Sequence, residues 1–360
     1  MSDNHDSKSS AVAATPAPAP VLPYAPPMPR TLRPRIGLIG CGGITQHHLK
    51  AYRDAGWDVV ALHDPNPSAA EKRRAEFYPD ARVCFTPAEL LSTPGLDIVD
   101  IATHPNVRGP LIEQAIAARK HVLSQKPFVL DLAEGRRLVA LAAGAGVKLA
   151  INQNGRWAPY FSYMRQAVRS GLIGEVGSVT MTLNWDHTWT AGTEFEKIHH
   201  IILYDFAIHW FDAARSFFGS SDAKSVYASV ATAPGQPIKP PLIASSVVTF
   251  PNGIATLGFN GYSRYNSNET CTIIGSSGVL RATGPICAPP FVELITQAGA
   301  TRAELKGSWF PDGFRGSMGE LLCAIEEKRE PENAAADNLK SLAICFGAMR
   351  SADEGRVIAL

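Results

Sequence analysis

Two side chains in the middle of the chain are spaced for acid–base chemistry. Asp205 and His209 stand four residues apart in Asp205-Phe206-Ala207-Ile208-His209-Trp210-Phe211-Asp212, so a helix there places them on one face, within mutual reach. A carboxylate beside an imidazole fixes its tautomer and raises its pKa, which suits proton transfer; the same pair can equally be a plain helix-surface pair. Lys126 is a second candidate. It closes His121-Val122-Leu123-Ser124-Gln125-Lys126-Pro127, and an ammonium at a strand mouth can donate to a substrate oxygen or reach a cofactor ribose. A lone lysine is otherwise a solvated surface charge. Near the start, Arg35-Ile36-Gly37-Leu38-Ile39 reads as a buried strand, Gly40 and Gly42 allow a tight turn, and a helical pattern follows from Gln46 to Ala55. Unpaired N–H groups and the positive dipole end at such a helix start suit a pyrophosphate. Thr45 stands where a third small residue is expected. Asp64 ends the next strand, about twenty residues beyond the glycine turn, where a carboxylate accepts from ribose hydroxyls and repels a 2′-phosphate. That favours NAD over NADP.

These residues need a frame that brings them together. Val59–Leu62, Leu96–Ala102, His121–Leu123 and Val147–Ile151 are short apolar strands. Between them lie helical stretches, two opened by capping boxes at Thr86–Glu89 and Asp131–Glu134, with another helix over Pro110–Arg119. This alternation predicts a doubly wound parallel sheet over 34–154, with Asp64, Thr103 and Lys126 at the carboxyl edge where ligands bind. After Asn154 the pattern changes. A helix over Trp157–Ser170 precedes the strictly alternating Ser178–Trp185, and a further helix is expected over Leu203–Phe218. Hairpin turns fall at Pro251-Asn252-Gly253 and Gly275-Ser276-Ser277-Gly278, and two helices at Met318–Lys328 and Ala334–Asp353. Residues 155–360 therefore read as an α+β domain with a large, mostly antiparallel open sheet. Such a sheet leaves a face that calls for a partner, so a homo-oligomer is expected.

The 360 residues suit two domains, and 45% hydrophobic with 19% charged residues describe a soluble globular chain. A net charge of +1 gives no field for nucleic acid or an anionic membrane, and no apolar run is long enough to span one. The six cysteines are scattered, with no C-x-x-C, and fit reduced core residues of a cytoplasmic protein. Residues 1–33 are rich in Ala, Pro and Ser and read as a disordered arm, or less commonly as an arm wrapping a neighbouring subunit. His199 and His200 do not sit in H-E-x-x-H or Cys/His spacing, so no metal is expected.

Over about residues 34–355 these motifs together resemble the Gfo/Idh/MocA oxidoreductase family, named for glucose–fructose oxidoreductase, inositol dehydrogenase and relatives. Gly40-Cys41-Gly42-Gly43-Ile44 resembles the opening fingerprint. Ser124-Gln125-Lys126-Pro127 is similar to the E-K-P segment that carries the catalytic lysine. Asn152, Arg156 and Pro159 fall at the entry to the second domain, Asp205 and His209 match the D-x-x-x-H pair, and Gly275–Gly278 resembles the C-terminal hairpin. Three departures stand out: Gln125 for the usual glutamate, Arg108 for a frequent histidine, and Ala207 for a frequent glycine. The resemblance implies an NAD(P)-dependent dehydrogenase or reductase for a sugar, polyol or inositol-like alcohol. NAD would be held by Gly40, Gly42, Gly43, Ile44, Asp64, Thr103 and Lys126. His209 would take the hydroxyl proton, Asp205 would orient it, and Lys126 would bond the same oxygen. Arg156, Trp157, His199 and His200, with Asp186, His187 and Trp189, would reach the carbohydrate. Alternatives on the same scaffold are a hydrolase that uses NAD for transient oxidation and elimination, and a non-catalytic nucleotide-sensing regulator.

Overall fold

Ile36, Leu38 and Ile39 are each at most 1% exposed, and that full burial on both faces makes their strand the centre of a parallel sheet. The computed structural model describes residues 18–360. Its first half runs β1 (Arg35–Ile39), α1 (Thr45–Asp54), β2 (Asp58–His63), α2 (Pro67–Phe77), β3 (Arg82–Cys84), α3 (Pro87–Leu91), β4 (Ile98–Ile101), α4 (Pro105–Ala117), β5 (His121–Gln125), α5 (Leu132–Ala145) and β6 (Leu149–Asn152). The strands order as β3-β2-β1-β4-β5-β6, all parallel, the doubly wound sheet that the alternation predicts. Thr86 and Asp131 cap their helices by accepting from the Glu89 and Glu134 N–H groups, one half of each expected capping box, while the Glu89 carboxylate accepts from Phe85 N–H and that of Glu134 pairs with Arg137. The fourth helix starts at Pro105 rather than Pro110, because Pro105 takes the first position and Pro110 is tolerated inside.

The second half carries α6 (Pro159–Arg169), β7 (Val176–Asn184), α7 (Ile208–Phe217), β8 (Ser225–Ala231), β9 (Ile243–Phe250), β10 (Gly253–Asn260), β11 (Asn268–Gly275), β12 (Gly278–Gly284), β13 (Phe291–Thr296), β14 (Gly299–Glu304), α8 (Trp309–Glu326), α9 (Ala335–Glu354) and β15 (Ile358–Ala359). Nine strands form one sheet, β14-β13-β12-β11-β7-β10-β9-β8-β15, in which only β7 and β10 pair in parallel. One face is closed over by the helices, where Val179, Met181, Leu183, Leu257 and Ile273 are buried. The other face shows Tyr227, Val247, Ile254 and Ile274, each 37–49% exposed. The last long helix but one does not stay with this sheet: Phe314, Met318, Leu321 and Leu322 of α8 join Ile36, Leu38, Leu49 and Tyr52 in a core on the first sheet. Among the described residues no helix is long and apolar enough to cross a membrane.

Two expectations change. The helix expected over 203–218 is not uniform. Ile202–Phe206 form a π-turn, with the Ala207 N–H reaching back five residues to the Ile202 carbonyl at 2.7 Å, before α7 begins. The arm expected to be disordered over 1–33 is packed along the chain's own helices from residue 18 on; residues 1–17 lie outside the described part. The Glu326 carboxylate accepts from the N–H groups of Arg30 (2.8 Å), Thr31 (2.6 Å) and Leu32 (2.8 Å). Tyr163 donates to the Pro20 carbonyl (2.8 Å), and the Lys306 N–H donates to the Tyr24 hydroxyl (2.9 Å). Gly319 admits the crossing, since a Cβ there would stand 2.1 Å from the Pro27 oxygen. Three backbone donors on one carboxylate outweigh the compositional tendency to disorder. Glu326→Ala removes them, so trypsin is expected to cut after Arg30 at least several-fold faster than in the parent, Arg33 being protected by the following Pro34; equal digestion rates would contradict the staple.

Candidate active site

The glycine turn after β1 is shaped by what a side chain would strike. Gly40 has φ +94°, and a Cβ on it would lie 2.9 Å from the Ala102 carbonyl at the end of β4. At Gly42 and Gly43 a Cβ would meet nothing within 4 Å, so the turn opens onto free space. The helix behind it is left bare: Ile44 holds the N-cap position without a side-chain cap, and no acid lies in the first turn of α1. The Thr45 and His47 N–H groups turn back to the Gly42 (3.3 Å) and Ile44 (3.0 Å) carbonyls, and a helix start beside open space, with its positive dipole end, suits a pyrophosphate. Thr45 fits without crowding. Its fully buried hydroxyl donates to the Gly42 carbonyl at 2.7 Å and fastens the turn to the helix. Arg73 of α2 donates to the Gly42 carbonyl from the other side at 3.0 Å. The Asp64 carboxylate, at the end of β2, accepts from the Cys41 N–H (2.7 Å) and the Asn66 N–H (2.8 Å), which sets it at the edge of the same turn. Thr103, past the end of β4, carries a buried hydroxyl with no partner.

The ends of β4 and β5 are held by one cation. Arg108, 1% exposed, donates to the carbonyls of Gln125 (2.5 Å), Pro127 and Thr103. Burial draws its guanidinium down to about 9, so it stays charged at neutral pH. This clamp presents Lys126. Its ammonium donates across the cleft to the Asp205 carbonyl (2.8 Å) and lies 3.2 Å from the Asp205 carboxylate. The first sheet and the π-turn of the second domain thus meet at one ion pair.

Asp205 therefore does not orient His209, contrary to the spacing argument. The π-turn breaks the helical register between them, and Asp205 is used by Lys126. The partner of His209 is Gln153, just past β6, whose Nε2 lies 3.3 Å from His209 Nδ1; Trp309 stands edge-on to the ring at 5.4 Å. Without a carboxylate, burial first and the Lys126 charge second pull His209 well below its ordinary pKa. The ring is neutral at pH 7. Beside the pair, Phe206 packs on His187 (3.9 Å), with Trp185 and Trp189 completing an aromatic wall; Trp189 is 53% exposed. Burial pushes His187 down to about 4, so this wall carries no charge at neutral pH.

Other expected substrate contacts are engaged elsewhere. Arg156, 5% exposed, forms a fork with Asp212 (2.6 and 2.8 Å), a bond to Asp337 (2.6 Å) and one to the Glu332 carbonyl, so it is a buried tie rather than a substrate ligand. Trp157 is 3% exposed, under Arg165 and against Gly316. His200 bonds Asp353 at 2.8 Å, with His199 packed against its ring; neither has a contact with Lys126 or His209. Asp186 accepts from the Thr188 N–H and serves its own loop. Gln153, Trp309 and the clamp role of Arg108 were not legible. The amide run Asn152-Gln153-Asn154 was the available signal: Asn152 meets His48, Gln153 meets His209, and Asn154 accepts from Trp309.

Residues 34–153 match the family model described as the oxidoreductase family with an NAD-binding Rossmann fold, and 161–281 match the GFO/IDH/MocA C-terminal domain. The chain is 30% identical over 343 residues to a D-apiose dehydrogenase of Paraburkholderia graminis, covering 90% of this chain and 88% of that protein. It is 28% identical over 334 residues to an inositol 2-dehydrogenase of Rhizobium meliloti, covering 91% and 99%. An oxidoreductase from Agrobacterium radiobacter, solved with NAD+, L-tartaric acid and magnesium, superposes with a TM-score of 0.82 at 22% identity over 91% of this chain and 98% of that one, and so shares the fold.

Removing Arg156 leaves the buried Asp212 carboxylate with the Ser341 hydroxyl (2.6 Å) and only a distant Arg215 (3.9 Å), a loss of about 3–5 kcal/mol. Arg156→Met should accordingly lower the urea midpoint markedly while the KM of any turned-over substrate stays within about twofold. An unchanged midpoint with a raised KM would return Arg156 to the substrate.

Proposed function

The chain belongs to the GFO/IDH/MocA oxidoreductase family, and from that premise we propose that it is an NAD-dependent dehydrogenase acting on a CH–OH carbon of a sugar, polyol or inositol-like alcohol. One observation carries the reading: Lys126, at the carboxyl edge of the nucleotide-type sheet, is paired with Asp205 beside a neutral His209. The open glycine turn, the bare start of α1, Asp64 and Thr103 fit a dinucleotide along that edge. When bound, the nicotinamide supplies the hydride acceptor or donor. The protein's part is to hold the substrate oxygen between Lys126 and His209, to stabilise the charge that develops there, and to move the hydroxyl proton. The exposed Trp189 and the half-buried Phe206 offer apolar faces for the C–H side of a carbohydrate.

Asp64 at the turn favours NAD over NADP, because a 2′-phosphate would face its carboxylate. The uncovered face bearing Tyr227, Val247, Ile254 and Ile274 supports association of identical subunits through the nine-stranded sheet.

The test is net NADH formation with a panel of cyclitols, pentoses and hexoses. Lys126→Ala and His209→Ala should each lower kcat by about 10² or more with NAD affinity retained. Full turnover in either variant would sink the assignment, and release of an aglycone without net NADH would point to the hydrolase. Asp64→Ala should narrow the NAD-over-NADP preference in kcat/KM by about tenfold, one lost discriminating contact; an unchanged ratio would refute its part in cofactor choice.

A further inference from the structure

Gln153 is fully buried, and all three of its amide contacts are to protein groups. Its Oε1 accepts from Asn338 Nδ2 of α9 at 3.2 Å. Its Nε2 lies 3.3 Å from the Ile208 carbonyl and 3.3 Å from His209 Nδ1. A backbone carbonyl can only accept, so the amide edge that faces Ile208 must be the NH2 edge. The second N–H of that edge then points at His209 Nδ1, which has to accept it. A neutral imidazole with an accepting Nδ1 carries its proton on Nε2. No hydrogen-bond partner for His209 Nε2 is present among the described residues.

From this geometry we propose that Gln153 is a positioning residue that holds His209 as the Nε2–H tautomer, so that His209 donates a hydrogen bond to the substrate oxygen and Lys126 carries the proton. The inference rests on the dehydrogenase reading for the identity of that oxygen. It reverses the roles that the family resemblance implies for the two side chains. In carbonyl reduction the Lys126 N–H bond breaks and its proton goes to the substrate oxygen as hydride from the reduced nicotinamide reaches the carbon. Oxidation is the reverse: the O–H bond breaks, its proton passes to the Lys126 amine, the C–H pair leaves as hydride and the C=O bond forms. In both directions the Nε2–H stabilises the negative charge on the oxygen. The charged groups facing His209 are Lys126 from the end of β5 and, through it, Asp205 from the π-turn; α8 contributes Trp309 and α9 contributes Asn338, neither of which titrates.

The tautomer is read directly on the full chain labelled with 15N-histidine, by long-range 1H–15N correlation with and without NAD, the His209 signals being those lost in His209→Gln. A pyridine-type Nδ1 and a pyrrole-type Nε2 are expected. Gln153→Glu turns the donor into an acceptor and should exchange the two types. Asn338→Leu removes the donor to Oε1 but leaves the Ile208 carbonyl to hold the NH2 edge, so it should keep the parent tautomer and serve as the control for a packing change beside Gln153. With that exchange in Gln153→Glu, His209 becomes able to take a proton at Nε2, and the acid limb of kcat/KM for alcohol oxidation should move down by at least one pH unit. A pyrrole-type Nδ1 in the parent, or a pH profile unmoved in a variant whose tautomer has exchanged, would overturn the proposal. The expected tautomer with no NADH from any alcohol would leave the Gln153 assignment standing and sink the dehydrogenase reading alone.

Discussion

A guanidinium buried between two carboxylates sets the geometry on which the site depends. Arg156 leaves the first domain directly after β6 and is tied to Asp212 on α7 and Asp337 on α9, while Arg215 shares Asp337 and bonds Ser341. Such a network is weak evidence for stability, because desolvation offsets much of its Coulomb energy, but removing a member leaves a bare buried charge. Its geometric effect is to prevent α7 from sliding against the end of β6. Gln153 stands three residues before Arg156 and His209 three residues before Asp212, so the tie also fixes the distance between them. Arg156, which reads in the sequence as a substrate contact, is held by Asp212 and Asp337 beside the segment that carries the histidine.

The charges in the cleft are few and each is assigned. Arg108 is used by three carbonyls at the ends of β4 and β5, and Lys126 by Asp205. The two sequence departures at 108 and 125 meet at this clamp: Gln125 gives its carbonyl to Arg108 and its side-chain oxygen to the Lys126 N–H at 3.2 Å. No carboxylate at 125 is needed to present Lys126, because a guanidinium buried beneath the strand ends already fixes the backbone. The π-turn then supplies the carboxylate from the other domain.

Much of the fold was legible because burial period and capping chemistry are local. β1, β2, β4, β5 and β6, and the helices opened by the Thr86 and Asp131 caps, followed from apolar runs and capping chemistry. β3 and β15 are too short to show a pattern, and β8, β13 and β14 mix apolar with polar residues on both faces, so strand pairing rather than pattern makes all five strands. The open glycine turn and the place of Lys126 at a strand end were legible for the same local reason, a glycine or a proline at a strand end. What was hidden depends on long-range contacts. A spacing of four between Asp205 and His209 could not disclose a π-turn, nor could Arg156 disclose Asp337, which lies 181 residues away.

The most direct measurement is a crystal structure of the chain with reduced NAD and an unreactive analogue of a substrate found in the alcohol screen. If the cleft works as described, the oxygen on the reacting carbon lies within hydrogen-bond distance, about 2.6–3.2 Å, of both Lys126 Nζ and His209 Nε2, with nicotinamide C4 about 3.5 Å from that carbon. A nicotinamide directed away from Lys126, or an analogue whose oxygens meet neither side chain, would contradict it.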